Sequence, residues 1–309
     1  MADETPAAEH TAVDALVGPV LGVLVRERPD IAVEPVRLVY TGFSSHVLTT
    51  GSGFVVRVTR TAEAADGHRR EMVLLPRLAQ LLPVAVPSPV WRLEAGRVSR
   101  YGAMAYDRID GSPLAWDTPC PEGFVDRLAD FLARVHRIDV PSVATGVVPL
   151  EGWKQAVIMT TCTAVDHLEG AVSAVEHGRL RRWCDEFVGH VDALPPRDAV
   201  MVHGDFWHDN ILTRGNELAG VLDWEAAAVA DPAVDLAPVW DIDPNLGAAL
   251  LGSYRRRTRL DPSLADRIRL FRIARNVGGI TWSLNNNDPE EYTDSLGKVR
   301  DVLPLTEVR

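Results

Sequence analysis

Cysteine is scarce in this chain, with 3 in 309 residues, at Cys120, Cys162 and Cys184. They make no Cys-x-x-Cys pair and no even framework. That excludes a disulfide scaffold and predicts a reducing, cytoplasmic setting. No Cys/His cluster has zinc-ligand spacing. Positive charge is also short: 32 Lys and Arg stand against 43 Asp and Glu, a formal net charge of -11. A general nucleic-acid binder is therefore excluded, while cationic partners remain compatible. No apolar run approaches the roughly 18 uncharged residues of a membrane span. Val13 to Val25 is interrupted by Asp14 and weakened by Gly18, Pro19 and Gly22. Met1 to His10 has no basic region followed by an apolar core, which predicts no signal peptide. Internal repeats are lacking as well.

What is present centres on Met201 to Glu225. The stretch reads Met-Val-His-Gly-Asp-Phe-Trp-His-Asp-Asn-Ile-Leu, then a polar turn, then Ala-Gly-Val-Leu-Asp-Trp-Glu. Ala199 to Val202, Ile211 to Thr213 and Gly220 to Leu222 are short apolar runs bounded by turn residues, which predicts buried strands. His203, Asp205, Asn210 and Asp223 then sit at strand ends and on a tight loop. An acid, an Asn five residues later and a second acid on the returning hairpin suit phosphoryl transfer. That reaction needs an acid to orient or accept the proton of the attacking hydroxyl, and hard oxygen ligands for Mg²⁺. Asp205 is the expected base, and Asn210 and Asp223 are the expected metal ligands.

Upstream, Thr11 to Arg28 reads as a helix capped at Thr11. Val36 to Tyr40, Val47 to Thr50 and Phe54 to Val58 read as an antiparallel meander. Glu63 to Leu82 reads as a helix with an apolar stripe, kinked or split at Pro76. Val90 to Glu94 and Val98 to Tyr106 read as a hairpin. Arg57 is a cation in an otherwise apolar strand and wants a partner, for which Glu71 on the following helix is the natural choice. Such a pair can hold a cation against nucleotide phosphates. The turn Gly42-Phe-Ser-Ser-His would lie over the phosphates, with Ser44 and Ser45 as donors. The backbone of Asp107 and Ile109 would meet a purine edge.

The chain crosses into a second lobe at Asp110-Gly111-Ser112-Pro113. Helices are predicted over Phe124 to Val135, around Gln155 to Thr163 and Gly170 to Val191, and over Val234 to Trp240, Pro244 to Thr258, Pro262 to Leu284 and Pro289 to Val302. The expected fold class is α+β. A small mixed antiparallel-sheet lobe over residues 1–108 binds nucleotide. A mainly helical catalytic and substrate-binding lobe spans residues 109–309, with a helical insertion at about 150–195.

These motifs resemble those of the aminoglycoside phosphotransferase family, whose fold is similar to that of protein kinases. His203-Gly-Asp-Phe-Trp-His-Asp-Asn is similar to its catalytic loop, Val221-Leu-Asp-Trp-Glu to its metal-binding segment, and Asp231-Pro-Ala-Val-Asp-Leu-Ala to the stretch after it. Phe54-Val-Val-Arg-Val, Arg70-Glu71 and Val86-Pro-Ser-Pro look most like the 2''-phosphotransferase branch, with macrolide phosphotransferases similar there too. Three departures stand out. Arg57 occupies the place of the usual strand lysine, the glycine loop has only Gly42, and Gly204 replaces the arginine of regulated protein kinases. A lysine at position 57 is expected to be tolerated.

The resemblance implies a bilobal kinase-like fold and transfer of the γ-phosphate of ATP or GTP, with Mg, to a hydroxyl of an aminoglycoside-type antibiotic. The partners would be a small cationic acceptor and a nucleoside triphosphate, with no nucleic acid or membrane, and the chain a monomer or dimer. Glu225, Asp235, Trp240 and Trp282 are the candidate acceptor-binding residues, beside Asp231, Asp241, Asp243, Asp288, Glu290 and Glu291 as further acids. Asp235 has a second reading, as a brace for the catalytic loop. A metabolic kinase of choline, homoserine or sugar type, or a macrolide or peptide-antibiotic kinase, is the alternative. A non-catalytic nucleotide-binding module is the alternative of another class.

Overall fold

The computed structural model describes residues 7–31, 34–41, 44–115, 123–259 and 261–303. The chain divides into two compact units, one of residues 1–111 with 219–225, the other of residues 112–218 with 226–309.

The first unit begins with α1 (Ala7–Glu27), followed by β1 (Arg37–Thr41), β2 (Ser45–Thr49) and β3 (Phe54–Thr59). These strands pair antiparallel in sequence order, with Val47 opposite Arg57. The helix already runs through Thr11, so the predicted cap at that residue is wrong and the helix starts earlier. Helix α2 (Ala62–Leu81) is capped by Thr61, whose hydroxyl accepts from the Ala64 amide. It runs unbroken past Pro76.

β4 (Pro89–Leu93) and β5 (Ala103–Asp107) complete a five-stranded sheet in the order β1-β2-β3-β5-β4. The predicted strand from Val98 is shortened, because Ser99 Oγ bonds both the amide and the carbonyl of Gly102. Gly102 has φ +87°, and a Cβ there would lie 2.6 Å from Leu93 O, so only glycine makes this turn without strain. Val20, Val23 and Leu24 of α1 pack with Leu48, Val56, Val58 and Ala105 of the sheet. Leu74, Leu75 and Leu78 bury the apolar stripe of α2. Each such side chain contributes about 1.5–3 kcal/mol on burial.

The second unit opens with the two-residue strand β6 (Ser112–Pro113), then α3 (Phe124–Val135), the single turn α4 (Val140–Val143), α5 (Leu150–His167) and α6 (Ala174–Ala193). Ser173 and Glu176 cap α6 reciprocally, each side chain bonding the other residue's amide. β7 (Val200–Val202) follows, then β8 (Ile211–Arg214), which pairs with β6. β9 (Glu217–Val221) carries the chain back to the first unit. β10 (Ala228–Ala230), which the sequence reading missed, pairs antiparallel with β7. Its three small or branched apolar residues carry no alternation to mark them, since all three are buried.

The chain ends in α7 (Ala233–Ile242), α8 (Pro244–Arg257), α9 (Leu264–Asn286) and α10 (Pro289–Val302). Asp243 and Asp288 cap α8 and α10, each followed by proline at the first helical position. No helix among the described residues is long and apolar enough to cross a membrane.

Candidate active site

In the first unit, the alternation of β3 turns Arg57 out of the sheet toward α2, against a cluster of carboxylates. Arg57 is 4% exposed. Its Nη1 donates to both carboxylate oxygens of Glu71, at 3.1 and 3.4 Å. Its Nη2 donates to Asp223 at 3.0 Å and Glu225 at 3.2 Å. Glu71 also accepts from the Trp224 amide at 3.2 Å, so α2 and the segment after β9 are tied through one buried carboxylate. Burial works against the Arg57 charge, but Asp223 and Glu71 outweigh it and raise its pKa. Burial likewise raises the pKa of Glu71, against the pull of Arg57.

Asp223 has φ +61°, a left-handed conformation that a short polar side chain tolerates better than most. Trp224, fully buried, anchors this bend and donates from its indole to Val221 O at 3.1 Å.

His68 belongs to the same cluster, and the sequence reading did not include it. Its Nε2 lies 3.1 Å from Glu225, and its Nδ1 lies 2.8 Å from the Thr59 hydroxyl. A neutral ring with the proton on Nε2 donates to Glu225 and accepts from Thr59, so both nitrogens are satisfied. Burial lowers the His68 pKa, which fits that neutral form, against the pull of Glu225. The signal was available: His68 lies three residues before Glu71, on the same helical face.

In the second unit, β7 ends at a turn built for close backbone approach. Gly204 has φ +90°, and a Cβ there would lie 2.3 Å from Ala226 O. The amides of His203 and Gly204 donate to Asp235, at 2.8 and 2.9 Å. His136 holds the same carboxylate at 3.1 Å and contacts Tyr254 at 2.7 Å through its other nitrogen. Against the cost of burial, these partners keep the Asp235 pKa below the usual carboxylate value.

Phe206 is fully buried, stacked on Phe131 at 5.8 Å, and it pins the loop from beneath. Asp205, by contrast, is exposed. The Asn210 amide donates to the Asp205 carbonyl at 3.0 Å and to its carboxylate at 3.1 Å. Asn210 Oδ1 thereby remains an acceptor. Amide and carboxylate oxygens are hard donors that suit Mg²⁺. Among the described residues, no group of three or more His, Cys, Asp or Glu is arranged as a metal centre of its own.

The remaining candidate residues fall in different places, and the expectations for Ser45 and Asp235 are corrected. Ser45 is buried and bonded to His68 at 3.3 Å, so its hydroxyl is turned inward rather than toward a phosphate. Ser44 is half-buried, and its carbonyl accepts from the Arg60 amide. Gly42 and Phe43 of that loop lie outside the described residues. Asp107 ends β5, and the amide of Arg108 bonds Gly53 O, which leaves Ile109 on the connection just before the second unit.

Asp235 is fully buried and cannot touch an acceptor; it braces the loop. Trp240 is half-buried against Gly247, with Arg272 over its ring at 5.9 Å, and serves packing. Trp282 is exposed on α9. Glu225 faces Arg57 and His68. Asp231 and Asp241 are buried against Arg267 and Arg272, while Asp243 and Asp288 cap helices. Most of the acids offered to a cationic acceptor thus have partners within the protein, while Glu290 is exposed. Beside the loop, Trp207 instead carries Arg275 at 4.1 Å and Lys298 at 5.5 Å from its ring. His208 sits 4.5 Å from the same ring.

A buried cation–carboxylate pair between a strand and a helix, with an Asp/Asn loop braced from a helix, defines a kinase-like phosphotransferase. The match to the phosphotransferase enzyme family model covers residues 36–271, and the chain belongs to that family. It is 27% identical over 270 residues to the viomycin phosphotransferase of Streptomyces vinaceus, covering 82% of this chain and 90% of that protein. It is 28% identical over 242 residues to the uncharacterised protein YcbJ of Bacillus subtilis, covering 71% and 74%. Among solved structures, the GDP and kanamycin complex of the aminoglycoside phosphotransferase APH(2") superimposes with a TM-score of 0.79 at 19% identity, covering 92% of this chain and 97% of that one. A macrolide 2'-phosphotransferase type I gives 0.66 at 24% identity, covering 96% and 98%. At these identities the structures show the kinase-like fold alone.

Proposed function

We propose that this phosphotransferase moves the γ-phosphate of ATP or GTP to a hydroxyl of a small molecule, with an aminoglycoside-type antibiotic as the first acceptor class. The observation that carries the reaction is the exposed Asp205, locked through Asn210 on a loop whose amides are held by buried Asp235. Asp205 orients the acceptor hydroxyl and takes its proton during in-line attack. Asn210 and Asp223 would hold Mg²⁺, which supplies charge neutralisation for the phosphates when bound. Arg57, set by Glu71, steadies the phosphates, and the backbone at Asp107 and Ile109 meets the base. The acceptor class is supported by similarity to a viomycin phosphotransferase and to an aminoglycoside 3'-phosphotransferase of Escherichia coli.

A second reading has its own observation. Arg275 and Lys298 flank Trp207, two residues after Asp205, and among the described residues Arg275 has no carboxylate partner. Such a surface favours an acceptor with less positive charge than an aminoglycoside, as in a metabolic kinase. A homoserine kinase from Methylocella silvestris is 28% identical over 141 residues, covering 41% of this chain and 41% of that protein.

A panel of acceptors with nucleotide-consumption readout, aminoglycosides and viomycin beside homoserine, choline and sugars, separates the two. Turnover on an aminoglycoside or viomycin supports the first reading. Turnover confined to acceptors with at most one amine supports the second. Nucleotide binding without turnover on any acceptor would count against both.

A further inference from the structure

Two of the three cysteines meet in the second unit, far apart in sequence and outside the proposed chemistry. Cys162 lies on α5 and Cys184 on α6, with their Sγ atoms 3.3 Å apart. Both are free thiols; Cys162 is partly exposed and Cys184 is buried. The helices around them are already fastened. Lys154 of α5 donates to Asp192 O of α6 at 3.1 Å, and His177 of α6 bonds Val165 O of α5 at 3.0 Å. Arg181 pairs with Asp166 at 2.8 Å. The thiols therefore sit in the middle of a helical hairpin held on both sides, and closing to bonding distance asks the sulfurs to approach by roughly 1.3 Å.

We propose that Cys162 and Cys184 form a redox-addressable modification site, an intramolecular disulfide that staples α5 to α6 when the chain meets a small-molecule disulfide. The partly exposed Cys162 thiolate attacks one sulfur of the oxidant and expels one thiolate. Cys184 gives up its proton and attacks the Cys162 sulfur, forming the protein disulfide and expelling the second thiol. The balance is two protein thiols and one disulfide giving one protein disulfide and two small thiols. Burial pushes the Cys184 thiol up to about 12, so Cys184 resolves the mixed disulfide and does not initiate attack. The staple joins the hairpin that leads into β7 and the Asp205 loop, and its effect is on persistence of the fold.

The test uses the full chain carrying Cys120→Ser, reduced, desalted and treated with oxidised glutathione. Peptide mapping without reductant should find Cys162 linked to Cys184, with both thiols lost. The melting temperature should rise by about 5–10 °C and return on reduction. In a further Cys184→Ser variant, Cys162 should instead hold a stable glutathione adduct. A lasting glutathione adduct at Cys162 with Cys184 unreacted in the parent chain would overturn the proposal. So would cross-links found only between chains.

Discussion

Arg57 Nη2 stands 3.0 Å from Asp223 Oδ1, so the cation expected to steady nucleotide phosphates grips the carboxylate expected to hold the metal. The same guanidinium holds Glu71 with its other nitrogen. This fork is a property of arginine, because a lysine ammonium is a single point of charge. Sequence alone suggests that lysine would serve at position 57, and the fork leads to the opposite prediction. Arg57→Lys should weaken Mg-nucleotide binding by about tenfold or more, measured by calorimetric titration. Arg57→Met should in addition lower unfolding stability by about 3–5 kcal/mol, since it strands buried Glu71. Wild-type affinity in Arg57→Lys would show that the fork does not matter.

His68 gives a pH dependence with a definite sign. Its pKa is held below the ordinary 6.5 by burial, despite Glu225. Between the folded value and 6.5 the unfolded chain binds more protons, so this contribution is present above pH 6.5 and is lost as pH falls below it. The stability gap between wild type and His68→Gln, followed by chemical denaturation from pH 8 to pH 5, should narrow on acidification. A gap that widens toward pH 5 would mean that His68 is charged in the folded protein.

The loop brace predicts two further losses. Asp235→Ala leaves the His203 and Gly204 amides and His136 without their acceptor in a buried site, and should cost about 3–5 kcal/mol. Gly204→Ala pairs a left-handed backbone with a Cβ 2.3 Å from Ala226 O, and should cost at least about 1–3 kcal/mol. Both should lower turnover more than nucleotide affinity. Urea unfolding with steady-state kinetics checks this, and a Gly204→Ala chain of normal stability and rate would contradict the brace.

Much of the arrangement was legible in the sequence, for local reasons. The helix of Phe124–Val135 shows in its apolar stripe, and that of Pro289–Val302 carries its own boundary signals in Asp288, Pro289 and two glutamates. The strand–loop pattern around Asp205 was visible because short apolar runs end on polar residues. What failed was what only the third dimension decides. Ser45 looked like a loop donor, yet the register of β2 turns it onto His68. Asp235 looked available to an acceptor, yet α7 points it at the backbone of the loop. Asp241 reads as a surface acid until Arg272 and Asn276 on α9 enclose it. No single-sequence pattern pairs residues across 20 or more positions.

The most direct test is Asp205→Asn, which keeps the shape of the side chain and removes its basicity. On the best acceptor from the panel, turnover should fall by about 10²–10⁴-fold. Mg-nucleotide affinity should stay within about threefold of wild type, and the melting temperature should hold, because the residue is exposed. An Asp205→Asn enzyme that turns over at the wild-type rate would contradict the account.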